Sequence, residues 1–176
     1  AALFAIGTPA ETEDYTWFED ASTAKYILQP NTVVDPRFFG AVGGDADLDT
    51  RAFFAMSWWC GMGYSSHVAL GNVEYLLKDG LKAWYPAGAL KDQITAINGV
   101  QTNCGVTWVN CNNLLISGGR VKVADNGCSI NSFAFTSWSP MFNWVNSSGW
   151  RMFNVDIDCN RNGQVHTTGG ASTRVN

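Results

Sequence analysis

The sequence predicts a mainly β protein, and three observations predict it. From Leu81 onward, short apolar or alternating runs recur, each about strand length. Asn, Gly, Ser or Pro separate them, and Asn98-Gly99, Asn112-Asn113, Asn126-Gly127 and Asn162-Gly163 supply left-handed turn residues. Charged residues make up only 15% of the 176, while aromatics make up 13%. That charge content is below the usual quarter for soluble domains. The apolar fraction supports a packed core, so the composition is not that of a disordered chain.

The expected strands are Ala83-Trp84-Tyr85, Val106-Thr107-Trp108-Val109, Leu114-Leu115-Ile116, Val121-Lys122-Val123, Phe133-Ala134-Phe135, Phe142-Asn143-Trp144-Val145 and the run from Met152 to Ile157. Two architectures fit them. One is a sandwich of hairpins, which wants two-residue Asn-Gly turns between strictly alternating strands. The other is a solenoid, in which Asn side chains stack from coil to coil at the corners. Periodicity alone leaves both open.

Upstream, residues 36–80 read as helical. Asp47 and Asp49 precede the apolar run to Cys60, and Asp49 is placed to cap the first free N–H groups. Phe53, Met56 and Cys60 share one helical face, and Gly61-Met62-Gly63 ends the helix. A second helix is expected from Ser66 to Lys78, with Val73, Leu76 and Leu77 on one face and Gly80 as its left-handed terminator. Residues 1–35 show no clean period and are punctuated by Pro9 and Pro30. They carry the acidic, aromatic cluster from Glu11 to Asp20. Such a segment is either a flexible leader or an arm that orders on a partner. Tyr15, Trp17 and Phe18 are its candidate anchors, since aromatics dominate interfaces.

Charge and cysteine content exclude several classes. The net charge is −4 and the 11 Lys and Arg are scattered, so no cationic patch for nucleic acid is present. A local basic site for an acidic polysaccharide stays compatible with that balance. Five Cys (60, 104, 111, 128 and 159) without a CxxC pair, and only two His, give no metal-ligand spacing. The cysteines read as small buried hydrophobes, with a Cys104–Cys111 disulfide left undecided. No apolar run reaches 18 residues, so no membrane insertion is expected. The apolar start lacks a positively charged leader.

The stretch from Phe39 to Phe53 resembles the opening motif of the pectate-lyase-like superfamily, roughly F-G-A-x-G-D-G-x-x-D-D-T-x-A-F. Phe39, Gly40, Ala41, Gly43, Asp49, Thr50, Ala52 and Phe53 match. Gly44 and Asp45 stand reversed, and Leu48 replaces the first of the paired Asp. Ala83-Trp84-Tyr85-Pro86-Ala87-Gly88 is similar to the strand and turn that follow in that family. Asn110 to Gly119 resembles a later coil. The likeness spans about residues 35–165. It implies a right-handed parallel β-helix, opened by a short helical cap at 36–80, with its first coils in 81–176 and an irregular N-terminal arm at 1–35. Phe53 and Met56 would then plug the open end of the solenoid. Family members carry their carboxylates on middle or later coils, so the resemblance implies a longer protein.

The candidate chemistry lies in Asn154 to Asn162. In a strand, Asp156 and Asp158 point to one side with Cα atoms roughly 6–7 Å apart. As catalytic residues they would act as acid and base in glycoside hydrolysis, with Val155 and Ile157 in the core. Arg161 would bind a carboxylated sugar. The competing reading makes Asp158 and Asn160 turn formers at a corner, paired with Arg161. The hallmarks of polygalacturonases, a paired Asp-Asp, Gly-His-Gly and Arg-Ile-Lys, are missing. Trp150, with Trp138 and Trp144, would stack on sugar rings if exposed, or stack internally. His166 reads as a lone structural histidine. Gly118-Gly119 lacks the Lys-Ser/Thr ending of a phosphate loop. No cofactor is expected.

The resemblance is closest to the start of a bacteriophage tailspike. It implies a homotrimer in the virion that binds phage tail or baseplate proteins through the arm. It further implies that host surface polysaccharide is either bound, or bound and depolymerised, on the coils. The alternative is a secreted pectinase-like lyase or glycoside hydrolase.

Overall fold

The computed structural model describes residues 4–6, 17–19, 25–30, 33–78, 106–125, 142–160, 167–168 and 171–172. The strands expected at 83–85 and 133–135, and Tyr15, Gly80, Cys104, Cys128, Trp138, Arg161 and His166, lie outside the described residues. What is described is mainly strand, with one α-helix and one short 3-10 helix.

Eight strands build three parallel sheets. They are β4 (His67–Ala69), β5 (Glu74–Leu77), β6 (Val106–Val109), β7 (Leu115–Ser117), β8 (Arg120–Val123), β9 (Phe142–Val145), β10 (Arg151–Phe153) and β11 (Asp156–Asp158). The orders are β10-β7-β4, β11-β8-β5 and β6-β9, and every pairing is parallel. Leu115 therefore lies opposite both His67 and Arg151, and Arg120 opposite both Glu74 and Asp156. No hairpin sandwich gives such pairings, because hairpin neighbours run antiparallel.

Alternation decides which side chains turn inward. Val68 and Ile116, and Tyr75 and Val121, are fully buried in register with one another, and Leu77 and Val123 follow them. This alternation explains why the helix expected over Ser66–Lys78 does not form. The segment is instead β4, a turn through Gly71 (φ +66°), and β5. As a helix it would leave the edges of β7 and β8 unpaired, and those pairings outweigh a loose helical period. The parallel sheets thus start at His67.

Between strands, every described non-glycine residue with positive φ is an asparagine: Asn110, Asn113, Asn146, Asn154 and Asn160. Asn is the side chain that tolerates this region best after glycine. The corner residues also bond to the next level, 36 residues on. Asn146 Nδ2 donates to Asn110 Oδ1 at 2.6 Å, and the Ser148 N–H and hydroxyl both donate to Asn112 Oδ1.

Helix α1 (Ala46–Gly61) closes one end of the stack. Asp45, not Asp49, is its N-cap, accepting from the Asp47 and Leu48 amides. Ala52 through Cys60 are buried without interruption, so the helix is covered all round. Phe53 sits edge-on to Tyr75, with centroids 5.5 Å apart, and stacks on Phe142 at 6.3 Å. Asp49 is buried and serves a different purpose from the one expected. Its Oδ1 accepts from the Val42 and Gly43 amides, and its Oδ2 from the Leu76 amide at 3.0 Å. Thr50 Oγ1 accepts from the Lys78 amide. Side chains of α1 thereby take up two amides, of Leu76 and Lys78, on the free edge of β5. The free edge of β4 is paired with Val34, which exchanges two backbone bonds with His67 and Ala69. The 3-10 helix Pro36–Phe39 links the two covers, and its N-cap Asp35 also accepts from the Tyr75 hydroxyl.

The N-terminal arm is not irregular where it is described. β1 (Phe4–Ile6), β2 (Trp17–Glu19) and β3 (Lys25–Leu28) form an antiparallel sheet in the order β1-β3-β2. The β-favouring run Tyr26-Ile27-Leu28 supplies the central strand, and Leu28 is buried in the main core. A short antiparallel pair, β12 (Thr167–Thr168) and β13 (Ala171–Ser172), completes the described strands. The cysteines divide: Cys60 and Cys111 are buried free thiols as expected, whereas Cys159 is free and exposed.

Candidate functional site

The outward column Glu74–Arg120–Asp156 organises the site. Its geometry starts at Gly118 and Gly119, both at positive φ, which turn the chain between β7 and β8. A Cβ on Gly119 would stand 2.5 Å from Leu70 Cβ and 2.9 Å from the Gly71 carbonyl oxygen, so only glycine fits this corner. The tight corner sets Arg120 first in β8, opposite the first residues of β5 and β11.

Arg120 then bridges three levels. Its Nε lies 3.1 Å from both Glu74 Oε2 and Asp156 Oδ2, and its Nη2 donates to Asp158 Oδ2 at 2.8 Å. The Asp158 hydrogen bond, followed by the three surrounding carboxylates, raises the guanidinium pKa further. Asp158 is held below the usual carboxylate range, chiefly by the Asn160 amide and then by Arg120. Lys122, one step along the same face, acts in the same direction. These groups are largely solvated, so each pair contributes modestly to stability. Their value here is in fixing geometry across levels.

A groove of about 670 Å³ runs beside this column, lined by Asn72, Val73, Glu74, Gly119, Arg120, Met152, Asn154, Val155 and Asp156. Amides and carboxylates offer hydrogen bonds, and Val73, Met152 and Val155 offer apolar surface. That mixture suits a ligand with hydroxyls on its edge and C–H groups on its face.

Asp156 and Asp158 do share one side, and one guanidinium holds both. Glycoside hydrolysis needs one carboxyl to carry a proton and the other to be ionised; with Asp158 held ionised the proton would fall to Asp156, whose Oδ2 is ion-paired to Arg120 Nε at 3.1 Å. Asp158 also accepts from the Asn160 amide at 2.7 Å, with Asn160 at φ +46°, which is a turn-forming role. Ile157 is in register with the buried Tyr75 and Val121 but is 42% exposed, because β11 has a neighbour on one side only among the described residues. Val155 is half-buried, packs against the core as expected and also lines the groove.

Trp150 does not line the groove. It stacks on Trp144 at 4.4 Å and 2°, and Trp144 stacks on the buried Trp108 at 5.4 Å and 17°. It is the outermost ring of this column and is itself 42% exposed, so it both stacks on its neighbour and faces solvent. In the arm, Trp17 and Phe18 lie in β2 opposite Ile27 and Tyr26.

Two contacts were not legible in the sequence. Arg120 attracts no motif, and its partners come from segments far apart in the chain. His67 Nε2 and Ser117 Oγ meet at 2.7 Å, brought together by the β4–β7 register. Among the described residues no carboxylate backs this histidine, so the pair is a bond between levels rather than a nucleophile with an oriented base. Nor does any described cluster of His, Cys, Asp and Glu have the form of a metal site. No described helix is long and apolar enough to cross a membrane.

No family model, curated protein or solved structure matches the chain. The register and the groove therefore carry the functional reading.

Proposed function

We propose that the chain forms the first coils of a right-handed parallel β-helix of the pectate-lyase-like kind. It would work as a bacteriophage tailspike or tail-fibre component that binds host surface polysaccharide. Three features support the coil reading: parallel neighbours in all three sheets, corner bonds between residues 36 apart, and an α-helix over one end of the stack. The observation that carries the binding reading is the groove. It joins amides, carboxylates and apolar side chains along the stack, as an extended glycan requires.

Binding is favoured over cleavage at this groove, because Asp156, the carboxyl left to carry the proton, is ion-paired to Arg120. Residues 1–35 would attach the protein to the phage tail or baseplate, with Tyr15, Trp17 and Phe18 as anchors. The assembly would be a homotrimer in the virion.

The test is oligomeric state combined with adsorption. A trimer that resists SDS without heating and adsorbs to host cells supports the reading. Deleting residues 1–35 should keep the coils folded and abolish incorporation into particles, and unchanged incorporation would remove the anchoring role. A monomer that degrades pectate would replace the proposal with a secreted pectinase-like enzyme.

A further inference from the structure

We infer that the groove selects a neutral, hydroxyl-rich glycan and rejects polyuronates. This rests on the glycan-binding reading of the same groove and names the class of sugar it takes. Arg120 is the one cation among the lining residues. Both of its contacting nitrogens end on carboxylates: Nε on Glu74 and Asp156, Nη2 on Asp158. A sugar carboxylate approaching the remaining N–H groups of this guanidinium would come up against the three carboxylates already gathered on it.

The rest of the local charge works in the same direction. Two carboxylates line the groove against one guanidinium, and Asp156 is 65% exposed in its side chain, facing an incoming ligand. Lys122 stands on the neighbouring outward column, in register with Asp158, and its charge acts on that carboxylate. Among the described residues a uronate would therefore meet Glu74, Asp156 and Asp158 against Arg120 and Lys122, a balance of like charge. Hydroxyl groups meet what they need: carboxylate oxygens with spare lone pairs, and the Asn72 and Asn154 amides as donors and acceptors. The apolar lining of Val73, Met152 and Val155 suits the C–H face of an uncharged ring.

The experiment uses the full chain on an array of defined oligosaccharides, half neutral and half uronate-bearing, oligogalacturonates among them, at low ionic strength. The expected result is binding confined to neutral oligosaccharides. Glu74→Gln with Asp156→Asn should raise uronate binding at least tenfold, and Glu74→Gln alone should move it the same way if the double variant folds poorly. Wild-type binding to uronates equal to or above that to neutral sugars would overturn the inference and leave the glycan reading standing. An unchanged uronate signal in both variants would also overturn it. Binding to no glycan on the array would overturn the glycan reading and this inference with it.

Discussion

At the scale of single residues, the corner positions set what the chain tolerates. Gly119 combines φ +73° with a backbone oxygen 2.9 Å from where a Cβ would stand. Gly119→Ala should lower stability by about 1–3 kcal/mol in urea unfolding, and it should loosen the corner that aims Arg120. The thiols give a second check. Burial pushes Cys111 up to about 12 and Cys60 well up, while Cys159 is exposed. Of these three, only Cys159 should react with a thiol reagent at pH 8 in the folded protein, and the other two should follow on unfolding. Asp158 gives the pH dependence. Its folded pKa is depressed, so its contribution is present above the unfolded value of about 3.9 and is lost as pH falls through the lower, folded value. Arg120→Met should weaken that acid-side loss, measured as melting temperature against pH below about 5.

At the scale of elements, α1 and the segment around Val34 cover the two strand edges of the first level. An exposed edge would invite pairing with another chain. Asp49→Ala would strand the Val42, Gly43 and Leu76 amides, and should cost about 3 kcal/mol in chemical denaturation. The same variant should self-associate more readily, read by light scattering. Helix α1 was legible because its apolar run is long and flanked by acids and glycines. The cap itself was misread by four residues, since Asp45 and Asp49 both satisfy a capping rule and only the fold distinguishes them. Ser66–Lys78 was misread because Val73, Leu76 and Leu77 fit a helical period as well as an alternating one. Short runs carry too little period to choose, and the partner strands 115–117 and 120–123 make the choice.

At the scale of the whole molecule, strands β7 and β8 have parallel neighbours on both sides, whereas β10 and β11 have one among the described residues. Amide exchange should therefore be slowest at Leu115 and Arg120 and faster at Arg151 and Asp156. Equal protection across these levels would argue for a single cooperative block. The β content and four of the expected strands were legible from local texture, since apolar runs and Asn turns are local properties. The parallel sheets and the groove were not, because they depend on which segments become neighbours. Asp156 and Asp158 drew attention as a pair, yet their partner Arg120 lies more than thirty residues upstream and carries no motif. Sequence proximity suggested Arg161 for that place.

The aligned indoles of Trp108, Trp144 and Trp150 give the molecule an intrinsic optical reporter. Rings this close couple their electronic transitions, so the stack should produce a paired circular dichroism signal, from the strong far-ultraviolet indole band, that isolated tryptophans lack. The Trp108–Trp144 part of the signal needs β6 and β9 paired. Its amplitude would thus follow the docking of one level on the next in real time, with no label attached, during refolding or on engagement of a ligand.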